Sequence, residues 1–401
     1  MTHRASLGIS SARQRLLDEV AAELAALDAA GLRRRLAPIE RVDGATVWIG
    51  GRRVVNWCSN DYLGLAQHPA LAEAAARAAS EWGVGARASR LLAGTSLWHQ
   101  RLEDALAAWF GLEAAVVFPS GAQANLGVLG SLLSSDDVVI VDRLAHASLV
   151  DAARASRATF RIFHHNDVEH LSHLLRRAAG ARRRLVVTEG IFSMDGDRAP
   201  LEAVVDAAEA HDALVYLDDA HGAFVDGPRG RSSPEAAGIP IDRFLYMGTL
   251  GKALGCQGGF LAGPRVLIEL VHNRARTFIY TTALAVPVAA AAHAALALLE
   301  AEPQHRQRLL QRVQRLHQGL RDAGIASPGV AHIIPIVVGA TAQAVALAQA
   351  LSGRGILAPA IRPPTVRQGT ARLRLSVTAL HTEAQIDALL AALRASLSAV
   401  V

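Results

Sequence analysis

One lysine, Lys252, stands against 40 arginines in a chain of 401 residues. A general drift towards Arg and Ala explains the skew, and a lysine that persists against it is either chance or the mark of a place where arginine fails. An ammonium can lose its proton and act as nucleophile or base, whereas a guanidinium in a protein keeps its charge. Lys252 lies in Gly248-Thr249-Leu250-Gly251-Lys252-Ala253-Leu254-Gly255, just after an apolar stretch that reads as a strand. Glycines allow a backbone to approach a ligand closely. An amine placed there, kept neutral by desolvation or by a neighbouring cation, suits a Schiff base with a carbonyl. The plainer alternative is a Gly-rich turn. A nucleotide P-loop is excluded, because that pattern needs Gly where Tyr246 stands and Ser or Thr where Ala253 stands.

Thirty-four residues before the lysine, Asp218-Asp219-Ala220-His221-Gly222 follows another apolar run. A carboxylate here can hold a pyridinium nitrogen protonated, and a histidine three residues on can reach a phenolate oxygen. Read structurally, Asp219 caps a helix and His221 is satisfied locally. Taken with the lysine, the pair supplies the parts of a pyridoxal phosphate site. Ser120-Gly121-Ala122 opens a helix after a strand, a natural phosphate position or a plain turn. His146, in Asp142-Arg143-Leu144-Ala145-His146-Ala147-Ser148, can stack on a flat ring or cap a helix. Thr188-Glu189-Gly190-Ile191-Phe192-Ser193 and Met194-Asp195-Gly196 end a further strand with polar residues.

These segments need a scaffold that brings strand ends together, and the hydrophobic periodicity supplies one. An amphipathic helix over 11–30 precedes a hairpin over 46–58 with a Gly-Gly turn. Helix 97–110 then leads to strand 114–118, helix 121–134, strand 137–141, helix 146–155 and strand 158–163. Helix 167–179, strand 184–188, helix 200–211, strand 213–218 and strands near 243–247 and 258–262 complete the run. Apolar strands alternating with helices predict an α/β fold with a mostly parallel sheet covered on both faces. Ligands of such sheets bind at the carboxyl ends of the strands. After a long Ala-rich helix over 284–300 come helix 304–323, strand 332–338, helix 341–353, a strand near 371–377 and helix 383–398, which reads as a smaller α+β domain. The expected division is 1–55 for the N-terminal helix and hairpin, 56–290 for the large domain and 291–401 for the small one.

Composition excludes other classes. At 51% apolar residues the chain buries a large core and is neither disordered nor fibrous. No apolar run reaches the length of a membrane span, and the first twenty residues lack the apolar core of a signal peptide, so the expected compartment is the cytoplasm. Two cysteines, Cys58 and Cys256, do not make a disulfide framework or a structural zinc site. The Arg-rich stretch 176–184 has no interleaved aromatics and reads as a solvated helix end rather than a nucleic-acid patch. His164, His165, His170 and His173 lack metalloprotease spacing, and no metal is expected. Neither a G-x-G-x-x-G after a strand nor a Walker pattern is present, which argues against nicotinamide and nucleotide cofactors.

In order along the chain, Asn60-Asp61-Tyr62-Leu63-Gly64-Leu65, the segments at 142–149, 188–197 and 218–222, and the loop at 248–255 resemble the α-oxoamine synthases. These are pyridoxal phosphate enzymes of the aspartate-aminotransferase fold. Ala360-Ile361-Arg362-Pro363-Pro364-Thr365-Val366 and Leu32-Arg33-Arg34-Arg35 resemble the branch that condenses L-alanine with a pimeloyl thioester, on coenzyme A or a carrier protein, in biotin biosynthesis. The resemblance implies a seven-stranded sheet, pyridoxal 5'-phosphate as cofactor, and a homodimer with shared sites to which Tyr280-Thr281-Thr282 contributes. It implies Lys252 as Schiff-base and proton-transfer residue, Asp218 on the pyridinium nitrogen, His221 on the ring oxygen and His146 stacked over the ring. Gly121, Ala122, Ser193 and Thr249 would hold the cofactor. Arg362 would bind the amino acid carboxylate, with Asn60, Arg33, His146 and Thr365 around the substrates. Two departures stand out: several relatives carry an aromatic where this chain has Ala122, and 85–96 is less rich in Gly and Ser than usual. Transamination, or another pairing such as glycine with acetyl-CoA, is the alternative chemistry on the same fold.

Overall fold

The computed structural model describes residues 11–400; the first ten residues of the stretch read as lacking a signal core lie outside it. Seven strands form the main sheet, in the spatial order Ala114–Phe118, Gly259–Gly263, Phe244–Thr249, Leu214–Asp218, Arg184–Glu189, Val138–Asp142, Thr159–Phe163. Gly259–Gly263 runs antiparallel to both its neighbours, and the other adjacent pairs are parallel. The sheet is α/β and mostly parallel, as expected. The strands of its middle, such as Leu214–Asp218 and Arg184–Glu189, are Val- and Leu-rich because helices cover both faces. Val116, Val139, Val187 and Tyr216 are almost fully buried with Phe118, Val128 and Leu149 in one core cluster. Each such side chain contributes roughly 1.5–3 kcal/mol on leaving water.

Backbone register sets the site. Glu189 pairs across to Asp218, and Asp218 to Met247, two residues before the strand end at Thr249. Four neighbouring or near-neighbouring parallel strands therefore finish side by side at Asp142, Glu189, Asp218 and Thr249. The antiparallel strand is also fitted to this edge. A Cβ on Gly259 would stand 2.6 Å from the Cα of Gly121 and 2.7 Å from its nitrogen, so only glycine lets the helix start at Gly121 lie against that strand.

Most predicted elements lie within two residues of their expected ends, including the hairpin Thr46–Ile49 and Arg52–Asn56. Helices Pro69–Trp82 and Arg265–Arg274 were not expected. By contact density the chain forms two units, one of Trp57–Pro335 with Leu375–Leu390, the other of the residues up to Asn56, Ile336–Arg374 and the residues from Ala391 on. The larger unit thus continues beyond 290, because helix Val286–Ala301 packs on Pro69–Trp82 and Leu97–Phe110. The smaller unit is drawn from three separate stretches.

Candidate active site

In the larger unit the strand ends surround a cavity of about 540 Å³, its open mouth included. Gly121, Ala122, His146, Asp218, His221, Thr249 and Lys252 all line it, so seven residues read from the sequence meet in one place. The loop after strand Phe244–Thr249 sets the lysine: Thr249 Oγ1 donates to the Gly258 carbonyl at 2.8 Å and accepts from Gly251 N–H at 3.1 Å. Lys252 Nζ then reaches His221 Nε2 at 2.7 Å. His221 Nδ1 lies 2.6 Å from the Tyr62 hydroxyl, which donates to Asn60 Oδ1 at 3.2 Å. The three bonds run in one direction when Lys252 donates to Nε2 and Nδ1–H donates to Tyr62, which assigns the tautomer from the network. For Nε2–H to face an oxygen in the cavity, Tyr62 turns and donates to Nδ1 instead.

Asp218 is 5% exposed and its carboxylate is fixed from two sides. Asn125 Nδ2 donates to Oδ2 at 2.9 Å and Ala220 N–H to Oδ1 at 3.0 Å. Asn125 cannot turn its amide over without losing a bond, since Tyr216 OH donates to its Oδ1 at 2.8 Å. Beside Asp218 sits Glu189, 2% exposed, accepting from His146 N–H at 2.6 Å. Burial, and then the Asp218 charge, push the Glu189 carboxyl well above the usual range. Burial and the neighbouring carboxylate thus both disfavour a charge on Glu189.

His146 caps helix Ala147–Ala155, accepting from Ser148 N–H at 3.2 Å, so the plainer reading holds together with the functional one. Desolvation first, and then the Lys252 charge, lower its pKa against the pull of Asp218, although the ring edge still reaches solvent. At the cavity's other end Ser120 caps the twelve-residue helix Gly121–Leu132. The backbone N–H groups of Gly121 and Ala122 lie in that first turn, where an anion is favoured. A Cβ at Gly121 would meet Met247 Cε at 3.0 Å, the far end of a flexible side chain beside the helix start. An amine at Lys252, a fixed anion at Asp218 and a helix start within one cavity fit the aldehyde, the ring nitrogen and the phosphate of pyridoxal phosphate.

Other expectations fall elsewhere. Ser193 is 8% exposed and does not line this cavity. Asn60 is joined to it through Tyr62. Arg33, Arg362 and Thr365 belong to the smaller unit, where they do come together: Arg362 Nη2 donates to the Arg33 carbonyl at 3.0 Å, and Arg34 Nη2 to Thr365 Oγ1 at 3.4 Å. Arg362 Nε is buried with no hydrogen-bond partner, an unspent donor beside the backbone of the Arg33–Arg35 run. The sequence reading missed Tyr62, Asn125, Ser148 and Met247. A polar residue inside an apolar helix, Asn125, was the signal available for one of them. In the Arg-rich stretch, Arg182 pairs with Asp137 at 2.7 Å and Arg183 Nη1 donates to the Leu132 carbonyl at 2.6 Å. Cys256, a free thiol, is pushed up to about 12 by burial and stays unreactive.

Two of the site's loops are held together by a histidine. His165 lies between Asp142 Oδ1 at 2.9 Å and Asp197 Oδ2 at 2.8 Å, and Asn166 binds the same two carboxylates. Asp142 leads into the His146 loop, and Asp197 closes the loop that begins at Glu189. Although burial opposes it, the two acids raise the His165 pKa from 6.5 to about 10. A raised folded-state pKa gives stability that is complete below the unfolded value and lost as pH climbs through the folded one. His165→Ala should therefore lower stability by about 3–5 kcal/mol, the scale for removing one partner of a buried pair. The difference in melting temperature from the parent chain should be largest below about pH 6.5 and should vanish above about 10. A difference independent of pH would refute the charged clamp.

The family model for aminotransferase class I and II matches residues 52–393. The chain belongs to this family. It is 50% identical over 386 residues to the 8-amino-7-oxononanoate synthase of Anaeromyxobacter dehalogenans (strain 2CP-1), covering 95% of this chain and 96% of the relative. It is 46% identical over 374 residues to the enzyme of that name from Chromobacterium violaceum, covering 93% and 97%. Among solved structures, serine palmitoyltransferase from S. paucimobilis with bound PLP is similar at a TM-score of 0.90 and 32% identity, over 96% of this chain and 98% of that one. The 8-amino-7-oxononanoate synthase of Francisella tularensis gives a TM-score of 0.74 at 26% identity, over 86% and 98%.

Proposed function

We propose that this chain carries out the reaction its relatives are named for, the decarboxylative condensation of L-alanine with a pimeloyl thioester to 8-amino-7-oxononanoate, CO2 and free thiol. It is a pyridoxal phosphate-dependent acyltransferase. The observation that carries this reading is the 50% identity over 95% of the chain to a synthase of that name. The single lysine, opposite a fixed carboxylate in one cavity, supplies the chemical sense.

Bound in that cavity, pyridoxal 5'-phosphate supplies an electron sink for the negative charge that develops at the amino acid's α-carbon. Every other task falls to the chain. Lys252 takes the α-proton and, once the new C–C bond has formed and CO2 has left, returns a proton to that carbon. Such an acid–base group works best with a pKa near the working pH. His221 orients the Lys252 amine through their 2.7 Å bond. Asp218 would pair with the ring nitrogen, and burial disfavours a second charge on Glu189 beside it. The first-turn N–H groups of Gly121 and Ala122 would hold the phosphate, Thr249 shapes the lysine loop, and Ser193 is assigned to the cofactor's surroundings. His146 covers one face of the ring. Arg362, with its unspent Nε, takes the alanine carboxylate, with Arg33, Thr365 and Asn60 around the substrates.

The working form is proposed as a cytoplasmic homodimer, with the pimeloyl group arriving on coenzyme A or a carrier protein. The exposed row Leu16, Leu17, Val20, Leu24 and Leu27 on helix Ser11–Ala29, and exposed Tyr280, support an association of copies. No helix among the described residues is long and apolar enough to cross a membrane.

One assay separates this reading from its alternative. With pimeloyl-CoA, L-alanine should release CO2 faster than glycine or serine, and Arg362→Ala should raise the alanine KM by on the order of tenfold to a hundredfold, the worth of a charged hydrogen bond, with the cofactor still bound. A preference for glycine with acetyl-CoA would assign the chain to a sister reaction.

A further inference from the structure

A second cluster of potential ligands lies in the larger unit, outside the cavity. His68, Glu302 and His305 each offer a ligand atom, and these atoms lie within 4.8 Å of one another. They come from three element ends. His68 caps helix Pro69–Trp82, Glu302 ends helix Val286–Ala301, and His305 is the second residue of helix Gln304–Asp322. His305 is 6% exposed; its Nε2 lies 3.1 Å from Glu302 Oε2, and its Nδ1 faces the Leu63 carbonyl at 3.3 Å. The rings of His68 and His305 meet edge to face with centroids 5.6 Å apart.

We propose that these three side chains form a site for a divalent transition-metal ion of the zinc class. Two imidazoles and one carboxylate are a donor set such ions accept, with water completing the coordination. The ion takes the place of the proton that His305 Nε2 shares with Glu302. A ligating histidine usually gives its other N–H to a carbonyl or carboxylate, and Leu63 is placed to receive it. Two contacts must yield. Arg308 Nη2 lies 3.1 Å from His305 Nδ1, at the ring edge away from Nε2, and has to release that nitrogen once it carries the proton. His68 Nδ1 accepts a long 3.3 Å bond from Ala70 N–H, which is given up when Nε2 becomes the ligand. Binding is therefore weaker than at a preformed cage.

The site brackets one short segment. His305 reaches Leu63 O, and His68 N–H donates to Leu65 O at 2.9 Å. Between Asn60 and Leu65 lies Tyr62, which sets the His221 tautomer. A bound ion joins the start of two helices to this segment and stiffens it.

The test is calorimetric titration of the cofactor-loaded, chelator-treated chain with zinc chloride. We expect one ion per chain and a rise in melting temperature on binding. His68→Ala and Glu302→Gln, at half-buried positions where folding is not at risk, should each abolish both signals, whereas His170→Ala, in the separate histidine group, should keep them. Cobalt(II) should give visible absorption bands with the parent chain and none with His68→Ala. The proposal is overturned if no stoichiometric binding occurs, or if His68→Ala and Glu302→Gln bind zinc as the parent does.

Discussion

Lys252→Arg leaves a folded chain that no longer releases CO2 from alanine and pimeloyl-CoA. The substitution keeps a positive charge and a donor for His221 at the position of the 2.7 Å bond. What it removes is the ability to lose that charge, because a guanidinium stays protonated in a protein. Arginine forms no Schiff base and moves no proton at the α-carbon. The fall in kcat is at least about 10⁴-fold, the upper end of what one positioned acid–base group contributes by itself, since covalent attachment is lost as well. Single-turnover CO2 release measures the effect. Borohydride reduction distinguishes its cause: it fixes pyridoxal phosphate to the parent chain and leaves none on the variant. A variant retaining even a hundredth of the parent's turnover would remove Lys252 from the reaction.

Asp218→Asn produces the second large effect, and the surroundings make its interpretation clean. Both oxygens of Asp218 accept hydrogen bonds, from Asn125 Nδ2 and Ala220 N–H. An asparagine there must turn its NH2 against one of these donors, and Asn125 cannot compensate because Tyr216 holds its own amide in place. The larger loss is electrostatic. An anion within a few ångströms raises the pKa of a cationic partner by roughly 1–3 units. Without it the ring nitrogen gives up its proton and the α-carbon charge has nowhere to go. The expected cost is on the order of 10²–10³-fold in kcat, the scale of removing one preorganised electrostatic partner. Alanine KM should change little, because the carboxylate contact assigned to Arg362 is untouched. Glu189→Gln is the matching control: burial and the Asp218 charge already disfavour ionisation of this carboxyl, so its kcat should stay within a few-fold of the parent. Equal losses in both variants would mean that the anion is shared between the two acids rather than resident on Asp218.

The cofactor pocket was legible in the sequence because its parts sit at the ends of continuous apolar runs. Period-2 and continuous-apolar patterns located the strands, and polar residues at their carboxyl ends, at 146, 218 and 249, could only gather at one edge of a parallel sheet. The lysine's rarity drew notice to it, and its Gly-rich strand-end loop together with Asp218 and His221 upstream gave it a chemistry. What escaped was of two kinds. Tyr62 and Asn125 act through other side chains, and no local spacing reveals that a tyrosine 159 residues before a histidine will select its tautomer. Helices Pro69–Trp82 and Arg265–Arg274 were hidden because their flanking segments carry glycines and prolines that read as loop. The unit boundary was misplaced for a related reason. Helix Val286–Ala301 is Ala-rich on all sides, so its pattern does not tell which neighbour it packs against. Ser193 lies four residues beyond the strand end at Glu189, further than a strand-end rule can place.

The smaller unit's construction from three distant stretches has a consequence for how the molecule comes into being. Arg362 and Arg33 are 329 residues apart, yet the backbone of one receives the side chain of the other. Contacts of such separation form late, because the entropy of closing the intervening chain must be met first. On a ribosome the sheet bearing Lys252 and Asp218 is complete before residue 336 has been made. The chain therefore acquires its parts in sequence: the cofactor pocket can close around pyridoxal phosphate during synthesis, and Arg362, proposed to take the amino acid carboxylate, is assembled only near the end.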